Sequence, residues 1–285
     1  MSGSDLICTY WNKQQKNFLD KLNSLLLQLN GDAIHDLRVA VKKIRSYLEL
    51  YNLLTGPDED GLQLADTKTL FNIMGKYRDS EICINVLQNF NKVKKDDYSS
   101  LQIYLQSALQ LSQRKINDSL KNFKPGELQS IGNIIHNRLS LESNDSIFKK
   151  TNEIIRQKLV ATIESSKKEI EQPHELRKQL KILYYWLMLL PEGSILSIFK
   201  IKKLNKVLEL LGSWQDQQVL LIRARHYRKD VVPKRTEEYR SIKKLETQLS
   251  EKSKKILAST GMQTYILMEA IKKSSKSKSM ATLKT

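Results

Sequence analysis

Apolar residues recur every three to four positions over long stretches of the chain, and short polar breaks separate those stretches. No run keeps the two-residue alternation of a half-buried strand. Trp11, Phe18, Leu22, Leu25 and Leu29 mark a first helix over 5–30, with Gly31 as its C-terminal stop and Asp32 as the N-cap of the next. That second helix, over 34–50, places Leu37, Val41, Ile44 and Leu48 on one face. After the break Thr55-Gly56-Pro57-Asp58, the pattern predicts helices over 61–75, ending near Gly75, then 78–90, 96–123 and 126–141. Ser143-Asn144-Asp145-Ser146 is the most polar gap. Beyond it helices are predicted over 147–171, 173–190, 194–211, 215–230, 234–258 and 261–273. The reading is an all-α chain with about six helices in each half, 1–145 and 146–273, and a basic tail over 274–285 without fixed structure.

The 34–50 helix carries a second pattern. At about 100° per residue, His35, Arg38, Lys42 and Arg45 fall within roughly 80° of one another on a face beside the apolar one. A solvated charged face normally interleaves acids at i,i+4. Here Asp36 and Glu49 lie off the stripe, and Lys43 points elsewhere. The stripe recurs at an offset of 139 residues, where PHELRKQLKILYYWLML pairs His174 with His35, Arg177 with Arg38 and Lys181 with Lys42. MGKYRDSEI around Gly75 matches LGSWQDQQV around Gly212 at an offset of 137. These pairs describe a tandem duplication. The second copy departs at two places, with Tyr184 at the position of Arg45 and Gln215 at that of Arg78. Asp79 and Asp216 are read as caps of the helices that follow, or as acids that hold a motif arginine in place.

Charge strengthens the stripe reading. The 48 Lys and Arg exceed the 31 Asp and Glu, for a net +17, which points to a polyanionic partner. The excess is lopsided: 18 basic against 17 acidic residues over 1–145, and 30 against 14 afterwards, so +1 and +16. Five of the lysines lie in KKSSKSKSMATLKT from Lys272 onward, where they add only diffuse attraction.

Other chemistries find little support. No phosphate-loop, dinucleotide, serine-hydrolase or zincin motif is present, and His174-Glu175 lacks the second histidine of a zincin. The remaining histidines, His136 and His226, stand alone, so no three-ligand metal site or cofactor is expected. Cys8 and Cys83 lie on apolar helical patterns and read as reduced core residues of a cytoplasmic protein. The N-terminus has no signal-peptide pattern, and no run reaches the ~18 apolar residues of a membrane span. ILYYWLMLL at 182–190 comes nearest and reads as a buried helix end.

A His-x-x-Arg-x-x-x-Lys-x-x-Arg helix followed some thirty residues later by a Gly-x-x-Arg-Asp element, occurring twice in an all-helical chain apart from the two departures at Tyr184 and Gln215, resembles the CHAD family, the conserved histidine α-helical domain. The resemblance implies two pseudo-symmetric, four-helix-bundle-like halves around a basic central channel that binds inorganic polyphosphate without catalysis. Carried over residue by residue, it assigns His35, Arg38, Lys42, Arg45 and Arg78 in the first half and His174, Arg177 and Lys181 in the second. Lys178, about 60° from Lys181 on its helix, and Lys206, before the Gly212 element, are added as candidates. The roles implied are storage, targeting to polyphosphate granules, or regulation of a polyphosphate-metabolising enzyme. Two alternatives stay open. A single-stranded RNA or DNA binder would set exposed aromatics beside the cations, for which Tyr184 and Tyr185 are the candidates. A polyphosphate or triphosphate hydrolase would need acids holding a divalent metal.

Overall fold

The structure is a computed structural model that describes residues 3–56, 64–94, 98–140, 144–169, 172–190 and 198–281. Among them the regular structure is wholly helical, in nine helices: α1 (Gly3–Leu27), α2 (Gly31–Thr55), α3 (Ala65–Lys94), α4 (Ser99–Lys121), α5 (Gly126–Leu139), α6 (Asn144–Glu169), α7 (Pro173–Leu187), α8 (Ile198–Asp230) and α9 (Glu237–Ala281). None is long and apolar enough to cross a membrane among the described residues.

Three predicted breaks are absent. Gly75, Gly212 and Gly261 lie inside α3, α8 and α9, each of which joins two predicted helices. An interior glycine costs a helix only about 1 kcal/mol relative to alanine. The flanking buried residues, Leu70, Met74 and Tyr77 around Gly75 and Leu208 and Leu211 before Gly212, outweigh that cost by keeping both sides on the core. The junction before α2 also differs. Asn30, not Asp32, is the N-cap, with Oδ1 accepting from the Ala33 amide at 2.8 Å, so Gly31 opens α2 and does not close α1. The predicted helix starts at 61 and 194 lie outside the described residues.

The chain divides into two compact units, Met1–Ile154 with Val219–Thr247, and Ile155–Gln218 with Gln248–Thr285. In the first, α1 packs along α2, α2 against α3 and α3 against α4. The apolar faces read from the sequence are the core: Trp11, Phe18, Leu22 and Leu25 of α1 and Leu37, Val41, Ile44 and Leu48 of α2 are buried. The Tyr47 hydroxyl donates to the Ile7 carbonyl at 3.3 Å, and the Trp11 ring lies 5.3 Å from that of Tyr47. Cys83 is buried and Cys8 half-buried, and the two are not joined in a disulfide. In the second unit, Leu176, Leu180, Leu183, Trp186 and Leu187 form the buried face of α7, and Leu204, Val207, Leu208 and Leu211 that of α8. The stretch ending α7 is a buried helix end, with Met188 exposed beyond it.

A buried ion pair ties α8 to α9 within the first unit. Arg228 donates from Nε to Glu246 Oε1 at 2.5 Å, from Nη2 to Oε2 at 3.2 Å, and from Nη1 to the Tyr239 hydroxyl at 2.5 Å. The two side chains are only 12% and 10% exposed, so removing one partner strands a desolvated charge. Glu246→Ala is expected to lower the unfolding free energy by about 3 kcal/mol. Asp118→Ala, which breaks the exposed Lys121 pair, is expected to change it by less than about 0.5 kcal/mol. Urea denaturation of both variants checks the contrast.

Candidate anion site

In the first unit, α2 presents its stripe to the face of α3 that carries Phe71, Gly75, Arg78 and Asp79. The tie is Arg38. Its Nη1 donates to the Phe71 carbonyl at 2.7 Å, and its guanidinium lies 4.3 Å from the centre of the Phe71 ring. A carbonyl inside a helix is normally screened by the side chain one turn on. Here that residue is Gly75, and a Cβ on it would fall 3.0 Å from Nη1. The glycine of the motif therefore serves as the opening through which an arginine reaches the backbone of α3.

Around this tie the other groups lie within electrostatic reach. His35 is exposed, yet flanking protein lowers its pKa, through desolvation first and then the positive charges of Arg78 and Lys42, against the opposing pull of Asp36 and Glu81. Arg38 is lowered by burial and by Arg78, while Asp79 acts the other way. The Asp79 carboxyl is raised by burial, and Arg38, Arg223 and Lys42 all pull it back down. Asp79 stands deep inside α3, so it caps no helix and acts on the arginine. Asp216 is likewise interior to α8. Arg45, exposed, has its guanidinium 5.6 Å from the Phe71 ring and lines a cavity of about 540 Å³ with Asn52, Thr67 and Lys68.

The second unit repeats part of this arrangement. Arg177 approaches Gly212, where a Cβ would fall 3.9 Å from its Nη2. Its Nε is buried with no acceptor among the described residues. His174 Nδ1 lies 2.8 Å from Gln215 Oε1, the residue that replaces the Arg78 counterpart, just as His35 feels Arg78. Lys181 Nζ stands 5.6 Å and 5.5 Å from the rings of Tyr184 and Tyr185. Lys178 is exposed and paired with Glu175 at 3.3 Å. Lys206 is exposed too, and because α8 runs unbroken through Gly212 it lies about 180° round the helix from Gln215. The structure does not bring it to the motif groups. His174 is the second residue of α7 and His35 the fifth of α2, so only the second copy has its histidine in the first turn.

Sequence reasoning missed two members, Arg223 and Glu81, and left the role of Asp79 open between a cap and a partner of the motif arginine. Arg223 of α8 faces Asp79, whereas its neighbours Arg225 and Arg228 are engaged by Glu246. Asp79 and Glu81 bring acids to a stripe that has none of its own, since Asp36 is turned to Lys21 of α1 at 2.8 Å. The i,i+3 spacing of Arg78 and Glu81 was a readable signal for their ion pair. Nothing local signalled Arg223.

An all-helical fold in which a His-x-x-Arg helix docks on a Gly-x-x-Arg-Asp helix defines the class. The family model of the CHAD domain matches residues 10–225, and the chain belongs to that family. The CHAD domain from the plant Ricinus communis has a similar structure, with a TM-score of 0.69 at 14% identity, covering 93% of this chain and 92% of that one. PptA from Streptomyces chartreusis matches with a TM-score of 0.63 at 12% identity, over 94% and 100% of the two chains. At those identities the likeness is one of fold. No curated protein matches the chain.

The two glycines make different demands. Gly212→Ala is expected to stabilise the chain by about 0.5–1 kcal/mol, because the added methyl meets ordinary contact distance and the helix gains propensity. Gly75→Ala is expected to gain nothing or to destabilise, because it pushes on Arg38. Denaturant midpoints of the two variants read the difference.

Proposed function

We propose that this protein binds inorganic polyphosphate without catalysis, through the cations of its two motif helices lining a basic channel. The observation that carries the reading is the first-unit cluster. His35, Arg38, Lys42, Arg78 and Arg223 gather around Asp79 and Glu81, close enough that Arg78 and Lys42 lower the proton affinity of His35 and Arg78 that of Arg38. Such a cluster keeps a positive field that an anion relieves. Arginine supplies planar donors to phosphate oxygens, and lysine supplies mobile charge. The second unit supports the same reading with the buried Nε of Arg177, which has no acceptor among the described residues. Repeated cations along a helix suit a polymer of identical charges. The roles this implies are storage, targeting to polyphosphate granules in the cytoplasm, or control of a polyphosphate-metabolising enzyme.

The competing classes fit less well. For nucleic acid, Tyr185 is buried and Tyr184 half-buried edge-on to it, which leaves part of one ring beside the motif where base stacking calls for a row of exposed aromatics. A metal-dependent hydrolase would need a cluster of acids, and no group of three or more His, Cys, Asp or Glu suited to a metal occurs among the described residues. Phosphate release with and without magnesium tests that class directly.

Replacing Arg38 and Arg177 together with Ala is expected to weaken polyphosphate binding at least tenfold. Replacing Lys276 and Lys278 is expected to change it about twofold, with helicity of both variants checked by circular dichroism. Equal losses would mean diffuse attraction. Binding should also weaken as salt rises, and a competing single-stranded RNA should displace little polymer.

The lowered pKa of His35 gives a sign to the pH dependence. The free chain holds the imidazole neutral at pH 7, and a phosphate chain beside it raises the pKa. Binding therefore takes up protons and tightens from pH 7.5 to 6. Titration calorimetry in two buffers of different ionisation enthalpy reads the uptake, and His35→Gln should reduce it.

A further inference from the structure

Glu81 is the acid that the proposed site does not need. It lies on α3 one turn after Arg78, whose Nη1 it holds in an ion pair through Oε2. Its other oxygen occupies the space that a Cβ on Gly31 would fill, against the first residue of α2. The amides of that turn are divided. Ala33 donates to Asn30 Oδ1 and Ile34 to the Asn30 carbonyl at 3.1 Å, while those of Gly31 and Asp32 have no acceptor among the described residues. A carboxylate oxygen placed there gains from the helix dipole as well as from Arg78. The two side chains are 29% and 21% exposed, so the pair is partly desolvated. Only glycine at position 31 admits this approach.

The second copy changes both partners together. Gln215 stands for Arg78 and Gln218 for Glu81, and Gln218 turns its amide to the Ser253 hydroxyl at 2.9 Å. A cation and its acid are thus exchanged for two neutral amides. The net charge of the element is the same, but in the first copy the element carries a cation already held by its own acid.

We propose that Glu81 is a resident competitor for the phosphate site, its carboxylate standing in for a phosphate between Arg78 and the opening turn of α2, to be displaced when ligand binds. The proposal rests on the polyphosphate reading and sets its affinity. The geometry gives the carboxylate two attractions that a phosphate oxygen would reproduce with greater charge. Displacement costs the pair but frees Arg78 for the polymer, so the first copy binds only anions able to outbid a carboxylate.

The test compares Glu81→Gln with Asp118→Asn by titrating long-chain polyphosphate into the full chain. Asp118→Asn adds the same single positive increment on α4, where Asp118 is exposed and pairs with Lys121. Glu81→Gln is expected to tighten binding about three- to fivefold, the scale of a partly exposed ion pair. Asp118→Asn is expected to stay within about 1.5-fold, and in an Arg78→Ala background the Glu81→Gln gain should vanish. A loss of affinity in Glu81→Gln would show that the acid positions Arg78, and an equal gain in Asp118→Asn would show bulk charge; either overturns the proposal while leaving the polyphosphate reading intact. Failure of the unaltered chain to bind would overturn both. Thermal unfolding of each variant confirms that the fold is kept.

Discussion

The entry of the Arg38 guanidinium into the backbone of α3 at Gly75 is the contact on which the first unit's site depends. A guanidinium donates to a helical carbonyl only where the next turn leaves room, and the missing Cβ of Gly75 leaves it. Phe71 covers the flat face of the same group, so Arg38 is held on one side by a hydrogen bond and on another by an aromatic ring. Because Arg38 is anchored, the register of α2 against α3 is set. That register brings His35 toward Arg78 and Lys42 toward Asp79. Arg177 and Gly212 meet in the same way in the second unit, with a looser approach.

Charge balance follows from this docking. A row of cations on one helix would be an expensive feature to fold, since like charges repel and burial adds to the cost. α3 offsets it with two acids in different roles. Asp79 is partly buried and answers Arg38, Lys42 and Arg223 together, which leaves the cluster with excess positive charge. Glu81 answers one cation, Arg78, and reaches the opening of α2 with its second oxygen. The first acid belongs to the scaffold. The second occupies a place where an external anion would find the same two attractions.

The two motif copies are more alike in contact than in composition. An arginine meets a glycine and a histidine meets the third residue after that glycine in both, while Tyr184 stands where the first copy has Arg45, and Gln215 and Gln218 where it has Arg78 and Glu81. The opening at glycine suits a long, planar donor. The positions around it differ in charge between the copies. Tyr184 takes part in a packed pair with Tyr185 beneath Lys181, so the second stripe trades a cation for aromatic surface.

Local pattern was enough to establish helices, their buried faces and the repeated basic stripe, because a 3.6-residue period and the residues needed to bind anions are both written along single helices. Leu37, Val41, Ile44 and Leu48 are buried as their spacing requires. The same local reading divided α3 and α8 at their glycines, since propensity alone makes glycine a stop, and it placed the cap at Asp32 where Asn30 supplies it. Tertiary structure decided what those glycines are for. It also brought Arg223 to Asp79 from a helix some 140 residues away and turned Arg225 and Arg228 to Glu246. Periodicity reports which face of a helix is wet, but the neighbour that meets that face is chosen by packing between distant segments, and no local spacing carries that choice.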